Sequence, residues 1–497
     1  MCPLASEDNL NSNITGLNAS GGTNQAIIDV EAGKTSAPFN LTRRDSSAQL
    51  PNDPILHTRR NFPKDILLNA LRNGARASLL GFSIRSGLLF LLRLLRVFKR
   101  KLALSRAIRE SFFAADSARM AAFFGIFAFV WKASNNTLLN LRKSTAPDDR
   151  INGFISGALA GALACLAEKR QWRIDMSQQL LVRGMQAVFN SLAINGHFHF
   201  RHGNSLIFAL ATAQVMYGYV MRPSTIPSSY YKFIVTTGPI PENILVLARQ
   251  QLAGKEPLDA AKVMDTVVSN GGTAKAIAET CGINGFVDFL PCGFLHPPVD
   301  SCNAQSWKTF VKVMRSILPV YATLNFVPMV VLKTRELMRK PQALIFRGFK
   351  NTVRSSMFLG VYVATFMRVA CLMRVPIFRR IFRHDSRYFY WLNGFLSSAA
   401  IFIEDEKRRS ELAMYVLPKG LDALYQTLYS KSWIFGIPHF EVAMFGTGMG
   451  LIIMFFQSEP QALGGIIYRL FRRIDLTIED ADSVINPSVA NVAAKKV

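Results

Sequence analysis

Cysteine is scarce: six residues in 497, at Cys2, Cys165, Cys281, Cys292, Cys302 and Cys371. They are too few and too scattered for a disulfide-scaffolded fold. Histidine is nearly as scarce, with seven residues. A membrane di-iron hydroxylase needs several histidine boxes, and only "GHFHFRHG" (196–203), with His197, His199 and His202, groups any. We read it as an interfacial loop with titratable side chains. No basic region followed by an apolar one stands in "MCPLASEDNLNSN", so no secretory signal is expected. The N-x-[ST] triplets at Asn13, Asn18 and Asn40 are accordingly not read as glycosylated. The ending "AAKKV" is not a Ser-Lys-Leu address.

Catalytic signatures are missing too. There is no Ser-His-Asp arrangement, no P-loop and no paired-carboxylate motif. "GTGMG" (446–450) fails the dinucleotide pattern because residue 451 is Leu, and its glycines sit in an apolar run, so they should serve helix packing. The sequence therefore predicts no enzyme and no cofactor. Cys281, Cys292, His296 and Cys302 offer the right ligand types for zinc, but the close C-x-x-C pair of structural sites is absent. Free thiols or a redox pair fit that spacing better.

Negative charge is in short supply: Asp+Glu is 33 against Lys+Arg 58, a formal charge of +25. Half the residues are hydrophobic, and the mean hydropathy is +0.19. Nucleic-acid binders and polytopic membrane proteins both carry such a basic excess. The bases lie between apolar blocks, as in "RLLRVFKRK" (93–101) and "RVPIFRRIFR" (374–383). That placement selects a membrane protein with lipids as partners and excludes nucleic acid.

Residues 1–70 read as a disordered tail, 222–305 as a proline-rich extramembrane connector and 473–497 as a polar tail. Between them lie two apolar regions, 75–221 and 306–472, whose runs are near or below the roughly 20 residues that cross a hydrocarbon core. The two regions match in punctuation. "NGFISGALAGALACLAEKR" (152–170) answers "NGFLSSAAIFIEDEKR" (393–408), Gly125 aligns with Gly360, and Gly184 with Gly420. Shared composition explains matching Leu and Phe, not aligned Asn-Gly-Phe and Glu-Lys-Arg. The expected fold is all-α: a polytopic membrane helical bundle of two homologous repeats.

Gly153, Gly157 and Gly161 fall on one helix face, with Gly394 and Ser398 as counterparts, and should form helix-packing seams. Asn152 and Asn393 at one end, with Glu168 and Glu406 at the other, are expected to wet a lateral groove between the repeats. A simpler alternative ends each span at the headgroups, with Lys and Arg snorkelling.

"PCGFLHPPVDSC" (291–302), "LPVYATLNFVPMVVL" (318–332), "FLGVYVATFMR" (358–368), 391–426, "DDRINGFISGALAG" (148–161) and "YVMRPSTIPSSYYKF" (219–233) together resemble the transmembrane protein 135 family. Each half is also similar, distantly, to the mitochondrial inner-membrane translocase family. The resemblance implies a multispanning protein of the peroxisomal membrane, with the mitochondrial membrane second. It further implies a role in organelle organisation and lipid handling, with organelle-dynamics proteins as partners. A lipid-modifying enzyme and a non-transporting organelle-shaping scaffold are the alternatives.

Overall fold

The protein is described by a computed structural model covering residues 63–98, 103–142, 149–197, 200, 202–253, 258–280, 286–287, 290–332, 334–374, 387–465, 467–469 and 471–472. Cys281, most of the expected N-terminal tail and the C-terminal tail lie outside the described residues. The first helix begins at Pro63, inside the segment read as tail, because proline suits a first helical position and Ile66 and Ala70 bury an apolar stripe.

The first region forms α1 (Pro63–Phe98), α2 (Leu104–Phe112), α3 (Ala115–Leu141), α4 (Arg150–Cys165), α5 (Arg170–Ile194) and α6 (Gly203–Met221). The connector folds as α7 (Ser228–Thr237), α8 (Glu242–Ala253), α9 (Ala260–Ser269), α10 (Ala274–Thr280) and α11 (Cys292–Leu295). A two-residue antiparallel ladder, Leu258–Asp259 with Phe286–Val287, joins them. The second region forms α12 (Cys302–Leu332), α13 (Thr334–Arg339), α14 (Pro341–Leu372), α15 (Tyr388–Ser397), which a 3₁₀ segment Ser398–Ile403 continues, α16 (Glu406–Tyr429) and α17 (Phe440–Ser458). Leu104–Leu141, Cys302–Val327, Pro341–Leu372 and Phe440–Ser458 are long and apolar enough to cross a membrane, and Tyr388–Ile403 is a shorter apolar stretch.

The last helix of each region packs in the other. α17 lies against α4 and α5, whereas α6 lies against α15 and α16. One group is thus α1, α3, α4, α5 and α17; the other is α12, α14, α15, α16 and α6. Polar ties hold the crossing helices. Glu459, just past α17, receives Arg150 at 3.2 Å and the Ser191 hydroxyl at 2.6 Å. Arg222, just past α6, donates to Ser430 at 2.6 Å.

The sequence-aligned glycines occupy corresponding crossings. A Cβ on Gly125 would meet Ser78 of α1, and one on Gly360 would meet Phe310 of α12. Gly153 faces Met454 of α17, and Gly394 faces Met216 of α6. Gly184 lies on Gly448 of α17, and Gly420 on Ala211 of α6. Missing side chains let these backbones meet, and dense packing is what joins helices in an apolar environment.

The burial on α4 runs opposite to that of a helix on a water-soluble surface. Asn152, Gly153, Ser156, Gly157, Ala160, Gly161 and Ala164 face inward, while Ile151, Ile155, Leu159, Leu163 and Leu166 are exposed. On the corresponding second stretch Asn393, Gly394 and Ser397 are buried, with Leu392, Leu396 and Phe402 outside. Small and polar inside with apolar outside is the pattern of a helix solvated by lipid.

The connector packs against the second group of helices. Its Ile240, Ile244, Leu245, Leu247, Val263, Val267, Leu290 and Phe294 share one core with Phe358, Phe366 and Met367 of α14. Prolines interrupt its helices without preventing them from burying their apolar faces.

Candidate functional site

Two polar assemblies stand out against this apolar frame. The first gathers at the junction of the connector with α12 and α14. Cys292 opens α11, His296 caps its end, Cys302 opens α12 and Cys371 lies in the last turn of α14. One ligand atom from each of the four lies within 4.8 Å of every other. Cys292, Cys302 and Cys371 are free thiols. His296 is 2 % exposed. Its Nδ1 is 2.7 Å from the Val299 carbonyl, which can only accept, so Nδ1 carries the proton. Nε2 is then left to face the Cys302 Sγ at 3.5 Å.

Local sequence explains how four side chains separated along the chain converge. Gly293 lets α11 settle on α10, since a Cβ there would come within 3.0 Å of the Ala276 backbone. Thr273 reaches over to the loop after α11, donating its amide to the Pro297 carbonyl at 3.0 Å and its hydroxyl to Asp300. Arg374 joins the segment before Cys292 to the end of α14 that carries Cys371. It donates to the Leu290 carbonyl at 3.1 Å, to the Ala370 carbonyl at 2.9 Å and to the Tyr390 hydroxyl at 2.9 Å. Hydrogen bonding from the Cys371 thiol outweighs burial and, with His296 and Arg374 helping, holds the Cys292 thiol well below its ordinary range.

The second assembly lies among α12, α14 and α16. Glu404, 1 % exposed, ends the 3₁₀ segment that follows α15. It accepts from the Ser355 hydroxyl at 2.8 Å and pairs with Arg408 at 3.3 Å. Arg408 also donates to Ser355 at 2.7 Å and reaches Asn325 of α12 at 3.4 Å. Asn325 in turn donates to Thr352 at 3.0 Å. The second Glu404 carboxylate oxygen is buried and has no hydrogen bond among the described residues.

Gly157 and Gly161 lie against Ile453 and Met449 of α17, and Ser398 is buried. The "GTGMG" glycines pack from the other side, Gly446 on Ala158 and Gly450 on Phe154 of α4, and Gly448 on Leu180 and Leu181 of α5. The two asparagines are buried polar anchors. Asn393 donates to the Phe366 carbonyl of α14 at 2.9 Å, and Asn152 accepts from Arg142 at 2.7 Å.

The acidic pair is corrected in one member. Glu406 is exposed on the first turn of α16, and Glu404 is the buried carboxylate. Glu168 is half-buried just before Lys169 and α5, as Glu404 stands just before Asp405 and α16. The offset that carries Gly184 to Gly420 also carries Glu168 to Glu404. A 3₁₀ segment rises about 2.0 Å per residue against 1.5 Å in an α-helix, so Ser398–Ile403 accounts for about two of the residues by which the second stretch is shorter. Each group fastens this turn by an ion pair of opposite sense: Lys169 to Asp116 at 2.8 Å, and Asp405 to Arg354 at 3.0 Å.

A groove shared by the two quoted helices is also revised. α4 buries its small-residue face on α17 and α15 buries its own on α6, so each seam is filled by a helix. Of the sequence's metal candidates, Cys292, His296 and Cys302 meet; Cys371 joins them. No spacing signal marked Cys371, which lies in the apolar run "VACLM" far along the chain from the others. Glu404 carried one signal, a carboxylate closing an apolar stretch.

No family model, curated protein or solved structure matches the chain.

Proposed function

We propose that this is an integral protein of an organelle membrane, peroxisomal first and mitochondrial second, that holds or moves amphipathic lipids. Its two halves are homologous repeats that have exchanged their last helices. The resemblance to the transmembrane protein 135 family and the paired glycine crossings support that reading together.

The observation that carries the lipid-handling reading is the assembly at Glu404. Ionisable side chains between apolar helices are costly to bury and usually mark a ligand path. Here a carboxylate with one unpartnered oxygen lies beside a guanidinium, two hydroxyls and an amide, on helices whose outer faces are apolar. A lipid headgroup offers such an assembly both charge and hydrogen-bond partners, and its acyl chains suit the exposed stripe of α12 (Leu324, Val327). We place the groove there, within one group of helices, and not between α4 and α15.

The test uses cells lacking the protein, complemented with tagged variants and imaged against peroxisome and mitochondrion markers. Wild type should co-localise with one marker and restore organelle lipid composition. Glu404→Gln should localise equally and fail to restore lipids, while Glu406→Gln should restore them. Normal lipids with Glu404→Gln, or a protein released from membranes by alkaline carbonate, would reject the reading.

A further inference from the structure

The thiol–imidazole cluster has a geometry that neither lipid handling nor helix packing requires. Three cysteines and one histidine converge from three segments, two of them more than sixty residues apart in sequence. A tetrahedral zinc ion with Zn–S of about 2.3 Å and Zn–N of about 2.05 Å sets its ligand atoms roughly 3.6 Å (S to N) and 3.8 Å (S to S) apart. The Cys302 Sγ to His296 Nε2 distance of 3.5 Å matches that edge. The whole set fits within 4.8 Å, about 1 Å wider than the edge of the coordination tetrahedron.

Two surrounding features fit a metal better than a chance gathering of thiols. First, the proton on His296 Nδ1 is held by the Val299 carbonyl at 2.7 Å. Metal-bound histidines commonly donate their other ring nitrogen in this way, which fixes the tautomer and aims the lone pair at the ion. Second, three thiolates, a neutral imidazole and Zn²⁺ carry a net charge of −1. The buried Arg374 supplies the compensating positive charge while tying the segments of Cys292 and Cys371 together.

We propose that Cys292, His296, Cys302 and Cys371 bind one zinc ion as a closed structural centre that clasps the connector to the start of α12 and the end of α14. Four protein ligands leave no open position for water or substrate, so the centre is structural and not catalytic. Its ligand order, C-x3-H-x5-C followed by a distant cysteine, explains the absence of a C-x-x-C pair: the fold, and not a local knuckle, brings in the fourth ligand. The clasp joins connector helices whose cores already meet α14, and it ties them to the two helices that flank the Glu404 assembly.

The experiment uses the full chain, purified in detergent through an epitope tag so that no chelating resin strips or adds metal. Elemental analysis should find zinc at one equivalent per chain. Cys302→Ser and Cys371→Ser should lose it, while Cys165→Ser and Cys281→Ser retain it. Because ligand variants can misfold, wild type is also exchanged with Co²⁺ alone, which should give the visible spectrum of a tetrahedral thiolate site. Chelation should then expose the connector to limited proteolysis while far-ultraviolet circular dichroism holds. Absence of zinc with no cobalt spectrum, stoichiometric iron or copper instead, recovery of the cysteines as disulfides, or loss of zinc in Cys281→Ser would each overturn the assignment.

Discussion

Gly157 of α4 lies so close to Ile453 of α17 that a Cβ at residue 157 would be 2.7 Å from the Ile453 Cβ and 3.0 Å from the Met449 carbonyl oxygen. No rotamer relieves a Cβ clash, so the helices themselves must move apart. Gly157→Leu should cost about 1–3 kcal/mol or more through overpacking, read as a lower thermal unfolding midpoint in detergent. Gly87, exposed in α1 with nothing within 4 Å of its Cβ position, is the contrasting site. Gly87→Ala should be neutral or stabilise by up to about 1 kcal/mol, since alanine is the better helix former. Equal effects of the two changes would show that the seam does not govern stability.

Two helices pack in the region they do not belong to in sequence, which makes the cohesion of the chain testable. A protease site placed between Ala253 and Leu258 would cut the connector while leaving α6 packed on α15 and α16, and α17 on α4 and α5. The two fragments should still migrate as one particle in mild detergent. Separation on a sizing column would mean these crossings contribute little to cohesion. As a direct check, Ala211→Cys with Gly420→Cys should form an intramolecular disulfide. The Cβ positions are 3.1 Å apart, slightly tighter than the roughly 3.5–4.5 Å a disulfide prefers, so a small shift is needed.

Glu404 and Glu406 differ by two residues and should differ sharply in consequence. Glu404→Leu strands Ser355 and Arg408 without their shared acceptor. A lost buried hydrogen bond to a charged group costs about 1.5–3 kcal/mol. Glu406→Leu changes an exposed residue and should shift stability by no more than about 0.5 kcal/mol. Thermal unfolding of both variants checks the ranking, and the reverse order would refute the assignment of Glu404 as the buried member.

Asp149 caps α4, accepting from the Ile151 amide at 3.0 Å and the Asn152 amide at 3.3 Å, and pairs with Arg142 at 2.8 Å. Burial pushes its carboxyl upward, but the two amides and Arg142 prevail and hold it below the ordinary carboxylate value. A depressed folded-state pKa stabilises above the unfolded pKa and loses that contribution as pH falls through the folded one. Asp149→Ala should therefore cost about 1 kcal/mol near neutral pH. The difference from wild type should shrink below about pH 4. A gap that persists undiminished in acid would show that the cap acts sterically.

Much of this protein is determined by local sequence. The apolar runs prescribe helices, because a backbone surrounded by apolar groups has to satisfy its own hydrogen bonds. The glycines at 153, 157 and 161 announce a close crossing, since only a helix face without side chains admits another backbone. The matched glycines at 125 and 360, 153 and 394, and 184 and 420 all sit where a helix meets another closely. Tertiary structure decided which helix fills each crossing: α17 covers α4 and α6 covers α15, pairings between parts far apart in the chain that no local pattern encodes. It likewise decided that Glu404 and not Glu406 turns inward, since a 3₁₀ segment shifts the register by a count the residues do not display. And it brought Cys371 to Cys292, His296 and Cys302, because ligands converge by position in space, whereas sequence motifs reveal only those that are also neighbours along the chain.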